Sequence, residues 1–179
     1  MTSQKIIAGS VFPDLFVKNL KNETLDISQI DQDFDWKMIV VYRGKHCPLC
    51  SAFLNELEKY QHKLKEIRID VALVSADSKD QLVEHLPQLD ITLPVYFGLN
   101  IMQMNELGLY ISEPRSEQET DHAFAEPGLF VINQSGQVQC VDISNNPFFR
   151  PQLSTLVSGL EWIKSKDYPI RGTYQLINE

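Results

Sequence analysis

The chain has 179 residues, 43% hydrophobic and 22% charged, the proportions of an ordinary soluble globular protein with a sizeable core. Acidic side chains outnumber basic ones by 24 to 16, a formal net charge of -8, so phosphate backbones and anionic lipid are repelled and neither nucleic acid nor a membrane is expected as a partner. Three cysteines are too few for a disulfide framework, and the opening MTSQKIIAGS holds too short an apolar run for a signal sequence. The expected setting is therefore the cytoplasm, where a close cysteine pair is catalytic or metal-binding rather than structural.

In chain order, LFVKN and TLDIS alternate around the turn signal LKNE and predict a short hairpin or extended lead-in between Gly9 and Ile30. MIVVY (38–42) is an unbroken β-prone run, the pattern of a central strand buried on both faces. Leu49, Phe53, Leu54, Leu57, Tyr60, Leu64 and Ile67 then fall on one helical stripe. IDVALVS (69–75) predicts a second buried strand. DSKDQLVEHL opens with capping residues and predicts a helix.

LPVYFG predicts a short strand and LNIMQMNELG a short helix ending at Gly108. The polar run ISEPRSEQETDH predicts an exposed loop tolerant of insertion. GLFVIN (128–133) and QVQCVDI (137–143) flank QSG as a hairpin, and a last amphipathic helix runs from about Pro151 to Lys164 with Leu153, Leu156, Val157, Leu160 and Ile163 inward. Crossover helices between buried strands define an α/β protein with a mixed sheet in a single domain, residues 1–179.

The chemistry concentrates in YRGKHCPLC, where a strand hands over to a helix. Proline is favoured at the first helical position, because the N–H it lacks would have no partner there. Pro48 therefore makes Cys47 the helix N-cap and places Cys50 near the third helical position, both on the first turn. Free N–H groups and the positive end of the helix dipole favour a thiolate there, and Arg43, Lys45 and His46 add positive charge in sequence. Cys47 is expected exposed at the tip as the attacking thiol, with Cys50 one turn in to resolve the mixed disulfide.

Half a zinc site is the weaker alternative: zinc wants four ligands, and His46, His62, His85, His122 and Cys140 are scattered without ligand spacing. Two inert core cysteines are the other alternative. Neither a metal nor another cofactor is expected. Cys140 lies in an alternating strand and reads as a packed residue rather than a second resolving thiol. Trp36, Trp162 and the Phe148-Phe149 pair read as core or interface residues.

These stretches resemble a known family. The strand, the C-P-x-C at a helix start and the later hairpin after a proline resemble the thioredoxin fold. GSVFPDLFV is similar to the lead-in of the alkyl hydroperoxide reductase/thiol-specific antioxidant (AhpC/TSA) group, the peroxiredoxins, and EPGLFVINQSGQVQ to its GLFIID strand-turn-strand. YRGKHCPLC resembles the peroxiredoxin-like subgroup with Y-R-G-x-[HW]-C-P-x-C, and the likeness continues through GLYIS, NPFFRP and KDYPIRG.

The resemblance implies a thioredoxin-like α/β fold with an N-terminal β extension, a peroxide or disulfide substrate, a thiol electron donor and a homodimer. It also leaves an alignment open. Anchored on VVY, the family's P-x-x-x-T-x-x-C falls on Arg43, Cys47 and Cys50, with Cys50 in the peroxide-attacking place. Anchored on C-P, Cys47 attacks and Cys50 resolves. The family's arginine before GLFIID is replaced by Pro127, so a guanidinium would have to come from Arg43 or Arg150.

Glu126-Pro127 stands where thioredoxin-like proteins carry a cis-proline facing the dithiol, and a trans proline ending a loop is the alternative. Glu126 would then exchange a proton with the cysteines, or stand as a solvated acid. Three functions follow: a thiol-disulfide oxidoreductase cycling Cys47 and Cys50, a thiol peroxidase, and a non-enzymatic binding module on the same fold.

Overall fold

The structure, a computed structural model, describes residues 6–174, so the domain span expected from the sequence reaches beyond them at both ends. The N-terminal hairpin forms as expected: β1 (Phe16–Lys18) pairs antiparallel with β2 (Thr24–Asp26) across a turn in which Asn22 takes a positive φ of 66°. The central sheet has the order β5-β4-β3-β8-β9. Its strands are β3 (Trp36–Val41), β4 (Ile69–Val74), β5 (Val95–Tyr96), β8 (Gly128–Ile132) and β9 (Val138–Ile143). β3 runs parallel to β4 and antiparallel to β8, which makes the sheet mixed.

β3 is buried along its whole length, as its continuous apolar run requires. Met38, Val40 and Tyr42 face the side covered by α1 (Pro48–Glu58), α2 (Gln61–Glu66) and α5 (Leu153–Ser165). Ile39 and Val41 face the other side, under Phe12, Leu15 and Val17 of the N-terminal stretch and Met104 of α4 (Ile101–Glu106). Leu54 and Leu57 are fully enclosed, each contributing roughly 1.5–3 kcal/mol and pinning α1 to the sheet.

The single helix expected from residue 49 to 67 is two. Lys59 and Tyr60 donate to Glu56 and Leu57, three residues back, and this tighter turn ends α1 before α2 begins. Leu49 is exposed, so it leaves the expected inward stripe. α3 (Lys79–His85) starts at a Ser78 capping box with Gln81, as the capping residues indicated, and α4 starts at a box between Asn100 and Gln103.

The polar run after Tyr110 is more than a loose loop. It begins with β6 (Ile111–Ser112), which pairs with β7 (Phe124–Ala125), and between them Glu119 and Thr120 turn inward. The expectation of a wholly exposed, insertion-tolerant segment is corrected by those two side chains. Trp36 is buried, as expected of a core residue, but Trp162, Phe148 and Phe149 stand in solvent.

Candidate active site

β3 ends at Val41 and the chain turns through Arg43–His46 into α1. Gly44 adopts φ 132°, and a Cβ there would lie 2.4 Å from Asp77 Oδ1, so only glycine lets this backbone approach that carboxylate. The Lys45 N–H donates to Asp77 Oδ2 at 2.8 Å. Asp77 is buried, which raises its carboxyl pKa, and it anchors the loop that delivers Cys47.

Cys47 is the N-cap of α1 and Pro48 its first helical residue, as the sequence indicated. The Cys47 sulfur accepts the Cys50 N–H at 3.2 Å, and Cys47 and Cys50 are joined as a disulfide with Cα atoms 5.2 Å apart, a separation that a disulfide bridges readily. Cys47 is 2% exposed and Cys50 0%. The expectation of an exposed tip thiol is thus corrected. Capping turns the Cys47 side chain back over its own helix, so Pro48 and Leu49 meet solvent instead.

In the reduced pair, the Cys50 thiol hydrogen-bonded to Cys47 pulls the Cys47 pKa down to about 6 despite burial, helped by the Cys50 N–H, Arg150 and Arg43. Burial, then the neighbouring Cys47, pushes Cys50 up. The pair therefore shares one proton and carries one negative charge, held mainly on Cys47. Arg150 Nη2 donates to the Cys50 sulfur at 2.8 Å, and its guanidinium stacks 5.2 Å from the Phe53 ring centre.

Arg43 does not touch either sulfur with its side chain. Its guanidinium lies 4.7 Å from the Phe124 ring centre, between Glu126 (Nε to Oε2, 3.3 Å) and Glu119 (Nη2 to Oε1, 3.5 Å). Glu126 is buried and also accepts the Ser112 hydroxyl at 2.7 Å. It is not a solvated acid, and its ion-pair partner is Arg43. Glu119 is held below the usual carboxylate range, chiefly by Arg115, whose Nε and backbone N–H both donate to it.

His46 packs on Phe124 with ring centres 4.5 Å apart, and neither ring nitrogen has a hydrogen-bond partner among the described residues. Burial, then Arg43, lowers its pKa to about 4. It is neutral near pH 7 and supplies no charge to the Cys47 thiolate, which corrects that expectation. Lys45 pairs with Glu84 on α3.

Among the described residues no peptide bond is cis, so Pro127 is trans and that expectation is also corrected. The trans form is the lower in energy. It suits an extended link in which the Pro127 carbonyl accepts the Ser144 N–H at 3.0 Å and Gly128 pairs directly with Val41. Cys140 is half-buried on β9 opposite Val131 and packs against the core, with its thiol pKa raised by burial. Among the described residues, no three His, Cys, Asp or Glu side chains gather in a way that would hold a metal.

An open groove of about 800 Å³ runs from Lys45 and His46 past Asp77 and Gln81 to Arg115 and Glu119. Of the residues singled out in the sequence, Cys47, Pro48 and Cys50 share the first turn of α1, Arg43 lies on Phe124 between Glu119 and Glu126, and Arg150, mentioned only as a candidate guanidinium, reaches Cys50. Sequence reasoning missed Asp77 and Glu119. Asp77 is hidden in a run that reads as helix-capping, and Glu119 in one that reads as solvated loop.

The sequence model of the AhpC/TSA family matches residues 8–141. The chain belongs to the AhpC/TSA family. It is a peroxiredoxin-like oxidoreductase. No curated protein matches it in sequence.

Solved AhpC/TSA-type structures share its fold at low identity. A peroxiredoxin-like protein from Aquifex aeolicus is 15% identical, with 90% of each chain covered and a TM-score of 0.73. A Cys-to-Ser variant of peroxiredoxin 6 from Arenicola marina is 13% identical over 91% of this chain and 76% of that one, with a TM-score of 0.75. A thiol peroxidase from Chromobacterium violaceum is 13% identical over 89% of both chains, with a TM-score of 0.67. The mixed sheet flanked by helices is therefore the thioredoxin-like fold of this family.

Proposed function

We propose that the protein reduces small hydroperoxides through a Cys47–Cys50 dithiol/disulfide cycle. The observation that carries this reading is the burial of both sulfurs on one helical turn, with the Cys47 pKa drawn down to about 6. A thiolate is thus favoured at neutral pH on a sulfur too covered to meet a polypeptide disulfide, whereas a hydroperoxide is small.

The Cys47 thiolate attacks the terminal peroxide oxygen. The O–O bond breaks, sulfur gives up two electrons, and the departing oxygen takes a proton to leave as water or alcohol. Cys47 becomes a sulfenic acid. Loss of the Cys47 charge lowers the cost of ionising Cys50, whose sulfur already receives the Arg150 guanidinium. Cys50 then attacks the Cys47 sulfur, forms the disulfide and releases the hydroxyl with the shared proton as water. An external dithiol restores the pair and is itself oxidised to a disulfide.

The test is mass spectrometry after one equivalent of hydrogen peroxide. C50S should trap a sulfenic acid on Cys47, and C47S should consume peroxide far more slowly. Rapid sulfenic acid formation on Cys50 in C47S would reverse the two roles. A second reading, thiol-disulfide exchange with protein disulfides in the cytoplasm, is favoured by the C-P-L-C pair at the helix start. Inertness toward several hydroperoxides together with fast reduction of a protein disulfide would select it.

A further inference from the structure

His85, the last residue of α3, is fully buried and takes no part in the chemistry described above. Its Nε2 lies 2.8 Å from the hydroxyl oxygen of Ser51, itself only 9% exposed. Its ring stands 5.9 Å from the Tyr42 ring, tilted by 47°. These two contacts fall on either side of the active-site loop. Tyr42 follows β3 and precedes Arg43, while Ser51 follows Cys50 on the first turn of α1. That turn is held at Cys50 by Arg150 and at Ser51 by α3. Among the described residues, the next side-chain hydrogen bonds out of α1 begin at Asn55, one turn further on.

A hydroxyl and an imidazole are costly to enclose, and an apolar pair of the same shape can pack about as well. Burial, then Lys45, lowers the His85 pKa to about 4. The ring is therefore neutral near pH 7 and does not act on the cysteines by charge. What the bond supplies is direction. Unlike an apolar contact, it fixes Ser51 at one distance and angle from α3, and Ser51 carries the backbone of Cys50 with it.

We propose that His85 is a positioning residue for the Cys47–Cys50 pair. Through Ser51 it holds the first turn of α1 in register with α3 and keeps the Cys50 thiol on Cys47. This rests on the dithiol cycle proposed above and names the group that sets its geometry. In the reduced protein it preserves the Cys50 hydrogen bond that acidifies Cys47. After peroxide has reacted, it leaves Cys50 already placed to attack the Cys47 sulfenic acid, so the second step needs no search for geometry.

The pH profile of cysteine alkylation tests this on the full reduced chain. H85L and S51A should each raise the Cys47 midpoint by about half a pH unit, less than C50A, which removes the thiol itself. The S51A/H85L double variant strands neither partner and should show the same shift as either single, because one bond is lost in all three. H85Q, whose amide reaches the place of Nε2, should keep the natural midpoint. Every one of these substitutions leaves the charge near pH 7 unchanged, so a shift reports geometry. With one equivalent of hydrogen peroxide and dimedone present, H85L should trap about two- to tenfold more sulfenic acid on Cys47, the factor one hydrogen bond carries.

A midpoint that stays at the natural value in H85L and in the double variant, while thermal stability falls, overturns the proposal. So does an H85Q midpoint that moves as far as that of H85L. A natural protein that forms no disulfide after peroxide overturns the cycle instead, and the midpoints, read without peroxide, still decide His85.

Discussion

Gly44 passes so close to Asp77 that a side chain on one would occupy the carboxylate of the other: an added Cβ falls 2.4 Å from Oδ1 and 2.9 Å from Cγ. Thirty-two positions separate Lys45, which takes the other carboxylate oxygen, from Asp77. The loop that presents Cys47 is therefore shaped by the end of a neighbouring strand. Gly44→Ala should lower stability by about 2–4 kcal/mol, combining backbone strain at positive φ with the clash. Thermal unfolding of G44A, D77A and the double variant checks it. The double variant should be more stable than the sum of the singles, because removing the carboxylate relieves the clash.

The reduced pair should titrate as one acid. Alkylation of Cys47 by iodoacetamide should rise with pH through a midpoint near 6, the value to which the Cys50 hydrogen bond draws it. C50A should move that midpoint upward by about one pH unit, because the hydrogen bond that is the largest cause of the depression is lost with the thiol. For stability the sign is definite. The folded-state Cys47 pKa lies below the ordinary value of 9.0, so between about pH 6 and 9 the unfolded chain binds the extra proton. The reduced protein should then gain stability as pH rises through that window and lose it as pH falls through 6. Urea unfolding of the reduced protein at about pH 7 and 8.5, above the range in which the buried histidines contribute, measures this, and the oxidised protein should lack the gain over that range.

Arg43 should matter through two acids rather than through a sulfur. Removing its guanidinium in Arg43→Met leaves Glu126 enclosed without a counter-charge, while Glu119 keeps Arg115, a situation that costs roughly 3 kcal/mol. Denaturant unfolding of R43M at pH 7 measures the loss. Adding Glu126→Gln should recover part of it at pH 7. If Glu126→Gln recovers nothing in R43M, the ion pair with Glu126 is not what Arg43 supplies.

Arg43 also lowers the Cys47 pKa, and Glu119→Gln should strengthen that effect. With one carboxylate neutralised, more of the Arg43 charge is felt at Cys47, and the alkylation midpoint should fall by about 0.5 pH unit. A midpoint that rises instead would mean that Glu119 acts by holding the loop in place.

His46→Gln should leave the Cys47 midpoint within about 0.3 pH unit of the natural protein. His46 titrates near 4 and is neutral where Cys47 ionises. A large upward move would show that the imidazole is charged at the site after all.

Much of the fold was legible because it rests on short-range patterns. The run MIVVY reads as a strand covered on both faces, and the capping residues of DSKDQLVEHL announced α3, which starts at Ser78. Pro48 placed Cys47 at the cap and Cys50 one turn in, as they stand. Leu49 misled because helical periodicity assigns a face to a residue before the cap has set the helix's entry angle. The loop after Tyr110 misled because its polar composition matches solvated chain, yet it buries Glu119 against the guanidinium of Arg43 from the turn after β3.

The sequence by itself determined the chemistry available: two cysteines across the first turn of a helix, in a chain whose strand and helix periods build a mixed α/β sheet. Only the tertiary structure decided how that chemistry is tuned. Capping folds the Cys47 sulfur inward and out of solvent, Arg150 reaches Cys50 from 100 positions away, and two acids engage Arg43. Helix caps and strand periods act over a few residues and leave a local trace. Burial and charge pairing depend on which distant segments the sheet brings together, and no local pattern records that.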